Sequence, residues 1–406
     1  MNIELPISKS IANRLLILQA IPGDGLLAVS ADMPDDVQIM SEAIRLLGER
    51  REARIDLGNC GTAMRFLTAY CAQLEGQTTI LDGVERMHHR PIGQLVDALR
   101  EIGADIEYLG EEGFPPLRIK GCILDKHRRV TINTPLSTQF VSALLLIGAN
   151  VQTDSTSPYI TLTREMIKNK EQGTKTKDKL LTTDQTPVTN LGSLVLAPYS
   201  EIERDWSSAA FWYEYVALHG GEITLPGLSR DSLQGDKVVA DIFAHLGVHT
   251  TYTDEGITIK KDNKFLIQQH KQLNPTTLRG NQLPAAPRAK ANNPCRSREL
   301  IRAEVVDIVV DNTLSLDFAN CPDLYPVVAL TCERLGIELH ATGVESLPLK
   351  ESDRLRAVRE HRTDADHRMA MALLVADYEV NDTACISKSY PQFLEQFHRI
   401  NTLKLQ

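Results

Sequence analysis

The feature that most constrains this chain is a unit of strand, helix and β-pair that recurs along it. Two complete copies occupy residues 76–120 and 220–260. Their strands, helices and β-pairs are predicted, in that order, over residues 76–83 (GQTTILDG), 91–103 and 105–120, and over residues 220–227 (GGEITLPG), 236–247 and 250–260. Repetition at this scale means that one supersecondary unit is used several times. It predicts an α/β fold in which helices cluster inside, sheets face outward, and loops at one end of each copy converge.

A third copy begins at residues 336–343 (GIELHATG) and continues into a helix from about Arg354, but its β-pair is missing. The sequence runs from Arg359 straight into residues 361–369 (HRTDADHRM). Measured against the other copies, about 25 residues are absent. We expect this loss to expose apolar faces of the neighbouring helices and to move Arg368 relative to Arg354.

Composition excludes several classes of function. The 406 residues are 42% hydrophobic and 24% charged, enough for two sizeable cores. The formal net charge of −9 gives no support for nucleic-acid binding, so a phosphate ligand would need a local basic pocket. Seven cysteines lie far apart without CxxC pairs, which is typical of reduced thiols in a cytoplasmic protein and implies no metal site. We recognise neither a signal peptide nor a membrane-spanning run.

Two polar segments do not fit the repeat. Residues 168–179 (KNKEQGTKTKDK) are polar and charged and lack an apolar period, where a helix after residues 159–167 should have continued. Residues 273–298 are rich in Pro, Asn and Arg, which predicts a disordered loop.

Polar and charged side chains recur where the predicted helices begin. A helix N-terminus carries unpaired N–H groups and the positive end of the macrodipole, so Lys and Arg beside it suit a phosphate or carboxylate. Several Arg and Lys side chains converging on one cleft imply a ligand with more than one anionic group. The residues in these positions are Lys9, Ser10, Arg14, Asn59, Gly61, Thr62, Arg90, Ser137, Thr138, Gln139, Asp323, Lys350, Glu351, Arg354, Arg368 and Lys388.

Two carboxylates in this set allow two interpretations each. Glu351 follows Lys350 in the segment KESDRL and is either a capping residue or a proton carrier. Asp323 stands in a turn between a short predicted strand, residues 314–318, and an apolar helix. N-capping is the commoner role for such an aspartate, and proton transfer is the alternative.

Nine motifs, taken in order, give the chain a specific resemblance to a known family. They are KSIANR (9–14), NCGTAMR (59–65), ERMHHRPI (85–92), STQFVSAL (137–144), DWSSAA (205–210), Pro322-Asp323, KESDRL (350–355), DHRMAM (366–371) and Lys388. Together they resemble the 5-enolpyruvylshikimate-3-phosphate synthase family, from residue 5 to about residue 397. Such an ordered set is far more specific than any single Gly-rich turn.

The resemblance implies a fold, a reaction and a set of partners. The fold is the family's two-domain inside-out α/β barrel, with domains over residues 9–204 and 205–406 that are joined by residues 1–8. The reaction is transfer of the enolpyruvyl group of phosphoenolpyruvate to the 5-hydroxyl of shikimate 3-phosphate, in the shikimate pathway. The family implies no metal, no cofactor, no nucleic acid and no membrane. It implies a cytoplasmic monomer whose domains close on two small-molecule substrates.

The same resemblance implies roles for individual residues. Shikimate 3-phosphate is expected on Lys9, Ser10, Arg14, Ser137, Thr138, Gln139, Asp323 and Lys350. Phosphoenolpyruvate is expected on Lys9, Gly61, Arg90, Gln139, Arg354, Arg368 and Lys388. Asp323 is expected to be the base for the 5-hydroxyl, and Glu351 with Lys9 to move the proton that makes the methyl group of the tetrahedral intermediate.

Two other functions stay open on sequence alone. The UDP-N-acetylglucosamine enolpyruvyl transferase family has a similar fold but would want a reactive loop cysteine, and KESDRL and DHRMAM argue against it. A catalytically impaired remnant, which binds anions without turnover, would keep every side chain named above, and only the short third repeat favours it.

The chain also departs from residues that are common in the family at Ile7, Phe66, Thr138 and Ser346.

Overall fold

The computed structural model describes residues 1–21, 29–180, 202–262 and 312–404, with residues 172–180 and 404 described as backbone only. In these ranges the α-helices are α1 Lys9–Ala20, α2 Asp35–Glu49, α3 Gly61–Ala72, α4 Gly93–Glu101, α5 Thr138–Leu146, α6 Pro158–Leu180, α7 Trp206–His219, α8 Val239–Ala244, α9 Tyr325–Leu335, α10 Arg354–Glu360, α11 His367–Val375 and α12 Phe393–Lys404. The strands are β1 Glu52–Asp56, β2 Thr78–Asp82, β3 Asp105–Tyr108, β4 Leu117–Lys120, β5 Val130–Thr131, β6 Val151–Gln152, β7 Glu222–Pro226, β8 Val248–Tyr252, β9 Gly256–Lys261, β10 Thr313–Asp317 and β11 Glu338–Thr342.

Helices that are apolar on every side lie inside the fold. Helix α3 buries all its residues except Thr62. Helix α7 buries every residue from Trp206 to Ala217. A helix without a polar face has to be surrounded by other elements. Helix α4, in contrast, buries one stripe that includes Leu95 and Leu99.

The strands form small sheets that bury one face against these helices. The first sheet has the order β1-β2-β4-β3, with β1 and β2 parallel and β4 antiparallel to both its neighbours. The second has the antiparallel order β7-β9-β8. The β-pairs predicted over residues 105–120 and 250–260 are therefore confirmed. Along β2 and β7 every second residue is buried, as expected for a sheet with one face on the core.

The third copy of the repeat has its first strand, β11, which pairs in parallel with the preceding strand β10. No described strand follows α10. The chain passes from α10 to α11 through residues 361–366. The expected exposure of apolar helix faces is wrong, because none of the exposed large apolar side chains in the described ranges lies on α9, α10 or α11. His361 ends α10 with φ 52°, stacks on Tyr378 at 4.1 Å, and with Tyr378 hydrogen-bonds Glu333. These contacts tie the end of α10 to Glu333 of α9 and to Tyr378, just after α11.

The described residues form two hydrophobic cores. One is built from side chains within residues 7–202, and the other from side chains within residues 206–400 together with Ile3 and Leu5. Ile7 belongs to the first core. The first residues of the chain therefore contribute to both cores and connect them.

The two polar segments have different outcomes. Helix α6, Pro158–Leu180, runs through residues 168–179, so the helix does continue into this polar segment. Lys, Glu and Gln are good helix formers, and extending an existing helix costs less than starting one. The loop predicted over residues 273–298 lies outside the described residues. No helix in the described ranges is long and apolar enough to cross a bilayer.

Candidate active site

One cleft collects most of the residues that the sequence singled out. On one side are the first turns of α1, α3 and α5, and on the other are the segments that lead into α9, α10 and α11. The predicted residues that line it are Lys9, Ser10, Arg14, Gly61, Thr62, Arg90, Ser137, Thr138, Gln139, Asp323, Lys350, Glu351 and Arg368. The other three are not among its lining residues: Arg354 and Lys388 pair with its carboxylates, and the carbonyl of Asn59 accepts a hydrogen bond from Lys388.

Arg14 is anchored by neutral partners. Its guanidinium donates to the hydroxyls of Thr163 at 2.7 Å and Ser142 at 3.2 Å, and to the carbonyl of Ser10 at 2.8 Å. Burial lowers its pKa to about 10, so it is still charged at neutral pH. Among the described residues no carboxylate forms an ion pair with it. Its charge is therefore free to act on a ligand.

Two further arginines meet over the first residue of α3. Arg65 donates to the carbonyl of Gly61 at 2.9 Å, and Arg90 donates to the carbonyl of Asn59 at 3.3 Å. A Cβ atom at position 61 would collide with both guanidinium groups, so only glycine lets them approach this helix end. Burial, and then the neighbouring Arg90, lower the pKa of Arg65 to about 9. Two adjacent cations with neutral partners at a helix N-terminus form a site for an anion.

The first turn of α5 adds hydroxyl and amide donors. Ser137 is the N-cap and accepts the backbone N–H of Gln139 at 3.3 Å. The side-chain Nε2 of Gln139 donates to the hydroxyl of Thr62 at 2.9 Å, which ties α5 to α3. Thr138 lines the cleft beside them. This side of the cleft therefore presents polar groups from three helix starts.

Asp323 is the meeting point of three cations. Its Oδ1 lies 2.7 Å from Arg354 Nη1 and 3.4 Å from Lys350 Nζ, and its Oδ2 lies 2.9 Å from Arg368 Nη2. Burial alone would raise its pKa, but Arg368, Lys350 and Arg354 outweigh burial and hold the pKa well below the usual value. No backbone N–H among the described residues donates to this carboxylate, so N-capping is the wrong interpretation of Asp323.

Glu351 is a second carboxylate held among cations. Arg354 Nη2 lies 3.0 Å from its Oε2, and Lys388 Nζ lies 2.9 Å from its Oε1. Against the effect of burial, Lys388, Arg90 and Arg354 hold its pKa well below the usual value. Helix α10 is capped by Asp353 instead, so the capping interpretation of Glu351 is also wrong.

Lys9 has a partner that the sequence did not suggest. Its Nζ lies 3.0 Å from Oδ2 of Asp36, a buried residue of α2. No ion pair joins Lys9 to Glu351 in the described part of the chain. His367 is buried nearby, and neither ring nitrogen has a hydrogen-bond partner among the described residues. Burial, and then Lys9, hold its pKa well below the usual value, so the imidazole is neutral.

Arg354 organises this side of the cleft from behind. It is 1% exposed, and its Nε donates to Oδ2 of Asp366 at 2.8 Å. Asp366 also caps α11 by accepting the backbone N–H of Arg368 at 2.9 Å. One carboxylate therefore fixes both the Arg354 guanidinium and the helix that carries Arg368. We expected the missing residues to move Arg368 relative to Arg354. Both side chains nevertheless contact the same carboxylate, that of Asp323.

Hydrogen bonds join the two sides of the cleft. Arg86 lies in the part of the chain that builds the first core, and its Nη2 donates to the carbonyls of Pro348 and Lys350, each at 3.0 Å. Lys388 Nζ, from the second core, donates to the carbonyl of Asn59 at 2.9 Å. No local pattern around Arg86 marks this contact, because its partners lie far along the chain.

Cations outnumber carboxylates in and directly behind the cleft. The cations are Lys9, Arg14, Arg65, Arg90, Lys350, Arg354, Arg368 and Lys388, and the carboxylates are Asp36, Asp236, Asp323, Glu351 and Asp366. In a chain with a net charge of −9 this is a local positive field. The cleft suits ligands with several negative groups, and the carboxylates of Asp323 and Glu351 also line it. In the described ranges no three His, Cys, Asp or Glu side chains are grouped to hold a metal ion.

Comparison with known proteins gives consistent matches. The family model for EPSP synthase (3-phosphoshikimate 1-carboxyvinyltransferase) matches residues 49–287. A 3-phosphoshikimate 1-carboxyvinyltransferase of Bacteroides fragilis (strain YCH46) is 35% identical over 439 aligned positions, which cover 96% of this chain and 93% of the relative. The protein of that name from Paraburkholderia phymatum is 29% identical, with 97% and 95% of the two chains covered.

The similarity extends to solved structures. An EPSP synthase structure from Acinetobacter baumannii superimposes with a TM-score of 0.58 at 18% identity, covering 98% of this chain and 95% of the other. At that identity the match shows a common fold. The alignment to the Bacteroides fragilis relative is longer than the 406 residues of this chain, so it contains gaps in this chain.

Proposed function

The chain belongs to the EPSP synthase family, and we propose that it transfers the enolpyruvyl group of phosphoenolpyruvate to the 5-hydroxyl of shikimate 3-phosphate, giving 5-enolpyruvylshikimate 3-phosphate and phosphate. The observation that carries the proposal is the convergence of Lys and Arg side chains from both cores on a cleft that also holds Asp323 and Glu351. Both substrates carry a phosphate and a carboxylate, so binding them together requires several cations in one place.

The two substrates are proposed to occupy different parts of the cleft. Phosphoenolpyruvate would lie against Gly61 and Arg90, with Arg65 beside them, where the guanidinium groups have neutral partners. Shikimate 3-phosphate would lie against Arg14 and the first turn of α5, whose Ser137 offers a hydroxyl. Three more cations would join the phosphoenolpyruvate site, namely Arg354, Arg368 and Lys388. Each would exchange its contact with a carboxylate of the protein for one with the carboxylate or phosphate of the substrate.

Asp323 is proposed as the base for the 5-hydroxyl. With three cations on it, this carboxylate is a weak base. Substrate anions attract the same cations, Lys350 among them, and each one that turns to the substrate raises the pKa of Asp323. Binding of the substrates thereby makes the carboxylate a better proton acceptor at the time when the hydroxyl is in place. Water excluded from the closed cleft would strengthen each of these contacts.

Glu351 is ionised in the structure, and we propose that it takes up a proton from solvent as the substrates bind and then passes that proton to the methylene carbon of phosphoenolpyruvate. It is held by Lys388 and Arg354, so it follows the same rule as Asp323: its pKa rises when those cations turn to the substrate. Lys9 would take part in this transfer only after leaving Asp36. The cations that remain would stabilise the charge that develops on the tetrahedral intermediate.

The two cores are proposed to be two inside-out α/β domains, residues 9–204 and 205–406, joined by residues 1–8 and closing on the substrates. The central position of α3 and α7, which are buried almost all round, supports this arrangement. So does the alternation of buried and more exposed residues along the strands around them. We propose that the enzyme works as a monomer in the cytoplasm.

Two observations weigh against the alternative functions. The described residues that line the cleft include no cysteine, whereas a UDP-N-acetylglucosamine enolpyruvyl transferase would want a reactive one. Burial raises the pKa of Cys60, the thiol next to Gly61, which makes it unreactive. Against an impaired remnant, Arg354 and Arg368, on either side of the shortened connection, still meet on Asp323.

A phosphate-release assay tests the proposal. The purified protein should release inorganic phosphate only when both substrates are present, and Arg90→Ala should lower kcat/KM for phosphoenolpyruvate by about tenfold or more. Glu360→Gln, which removes a surface carboxylate paired with Arg356, is the matched control and should leave turnover unchanged. Binding of shikimate 3-phosphate without phosphate release would identify an anion-binding remnant. Failure to bind either substrate would refute the proposed function.

A further inference from the structure

One buried carboxylate beside the cleft has no part in the reaction proposed above. Asp236 is 1% exposed and lies in a short 3-10 helix, Gly235–Val238, just ahead of α8. Two hydroxyl groups from different elements donate to it: Tyr159 Oη to Oδ1 at 2.9 Å, and Ser207 Oγ to Oδ2. Burial, and then the nearby Asp323, raise its pKa to about 6, so at neutral pH it is ionised and accepts a hydrogen bond from each of the two hydroxyls.

Tyr159 connects Asp236 to the cleft. It is the second residue of α6, and it lines the cleft together with Asp323. Its backbone carbonyl accepts hydrogen bonds from Thr163 Oγ1 at 2.8 Å and from Arg14 Nη2 at 3.3 Å. The backbone of Tyr159 is therefore bonded to Arg14, on the side of the first core, and its hydroxyl is bonded to Asp236, on the side of the second core.

The backbone around this contact is closely packed. A Cβ atom at Gly235 would lie 2.7 Å from Pro158 Cγ and 3.2 Å from the carbonyl oxygen of Asn320. Glycine is needed here because any side chain would push the segment away from the start of α6. Ser207, on the other side of Asp236, belongs to the buried first turn of α7. The position of the Asp236 carboxylate is thus fixed relative to both walls of the cleft.

We propose that Asp236 is a positioning residue that holds Tyr159 across the cleft, and that it thereby shapes the site for the substrate that binds beside Arg14. The inference rests on the proposed function, in which that substrate is shikimate 3-phosphate. Asp236 does not line the cleft, so it acts through the Tyr159 hydroxyl. A hydrogen bond to an ionised acceptor is roughly twice as strong as a neutral one, which makes this link the strongest polar contact of Tyr159 with the second core.

A double-mutant cycle on shikimate 3-phosphate binding tests the link. Calorimetric titration would compare Asp236→Asn, Tyr159→Phe and the double variant with the unaltered protein. Each single substitution should weaken binding about tenfold, the expected effect of losing one charge-assisted hydrogen bond. The double variant should bind no more weakly than either single one, because both changes break the same contact. Asp241→Asn removes an exposed carboxylate on α8, and this control should bind as the unaltered protein does.

The outcomes separate the inference from the proposed function. Additive losses in the double variant, or a lower melting temperature of Asp236→Asn with an unchanged dissociation constant, would overturn the positioning role. An unaltered protein that does not bind shikimate 3-phosphate would overturn the proposed function instead. If Asp236→Asn does not fold, Tyr159→Phe decides alone, since it keeps the ring and removes only the hydroxyl. Undiminished affinity in that variant would overturn the inference.

Discussion

Replacing Asp323 with asparagine separates two roles of this residue, balancing charge and accepting a proton. Asparagine keeps the shape of the side chain but carries no charge and is no base at neutral pH. In the structure Arg354, Arg368 and Lys350 lie 2.7, 2.9 and 3.4 Å from the carboxylate oxygens. The substitution leaves these cations with one partner fewer. It should therefore affect ligand binding and turnover in opposite directions.

The distances set the size of the effect. At an effective dielectric constant of 20, two unit charges about 3 Å apart interact by roughly 5 to 6 kcal/mol. Desolvation offsets much of this, and removing one partner of a buried pair typically costs about 3 to 5 kcal/mol of stability. An anionic substrate restores the missing charge, and recovering about 1.4 kcal/mol of that cost tightens its binding tenfold. Loss of the contact with the 5-hydroxyl works the other way, by about tenfold.

We therefore expect a crossed result from Asp323→Asn. Phosphoenolpyruvate should bind about tenfold more tightly in the presence of shikimate 3-phosphate, and shikimate 3-phosphate within about tenfold of its normal affinity. Turnover should fall by about 10² or more, as expected for loss of a general base. Calorimetric titration measures the affinities, phosphate release measures kcat, and thermal unfolding measures the stability.

Glu360→Gln, which removes one exposed negative charge from α10, is the control for all three measurements. Turnover of Asp323→Asn within about threefold of normal would refute the assignment of the base. Weaker binding of phosphoenolpyruvate would refute the idea that Asp323 competes with substrate for the cations.

Two further predictions address other parts of the chain. Gly61→Ala should raise KM for phosphoenolpyruvate about tenfold or more, because its Cβ displaces the guanidinium groups of Arg65 and Arg90, and an equal rise in KM for shikimate 3-phosphate would instead indicate general distortion. Glu214 is fully buried in α7, and burial raises its pKa well above the usual 4.5, against a smaller opposing effect of the Thr331 hydroxyl. Because the folded state holds a proton that the unfolded state releases, stability should fall as pH rises above about 4.5, by roughly 1.4 kcal/mol per pH unit. Glu214→Gln should therefore stabilise the protein more at pH 7.5 than at pH 5 in thermal unfolding, and a gain independent of pH would contradict this.

Much of the fold could be predicted because its signals are local. The β-pairs over residues 105–120 and 250–260 are marked by alternation and turns within a few residues, and the structure contains both. The starts of α1, α3 and α5 carry the polar residues that line the cleft, since helix starts are also marked locally. The absence of a third β-pair could be measured against the other copies of the repeat.

The sequence by itself therefore determined the kinds of element, the family, and which residues gather at the helix starts. The tertiary structure alone decided their partners. Asp323 meets Arg354, and Lys9 meets Asp36 instead of Glu351, across separations that no local pattern encodes. The contacts at the shortened connection were equally hidden, because His361, Tyr378 and Glu333 come together only after three helices have packed. Ionic and hydrogen-bonding partners depend on distances between elements, and those distances are fixed by how the cores pack and not by the residues next to each group.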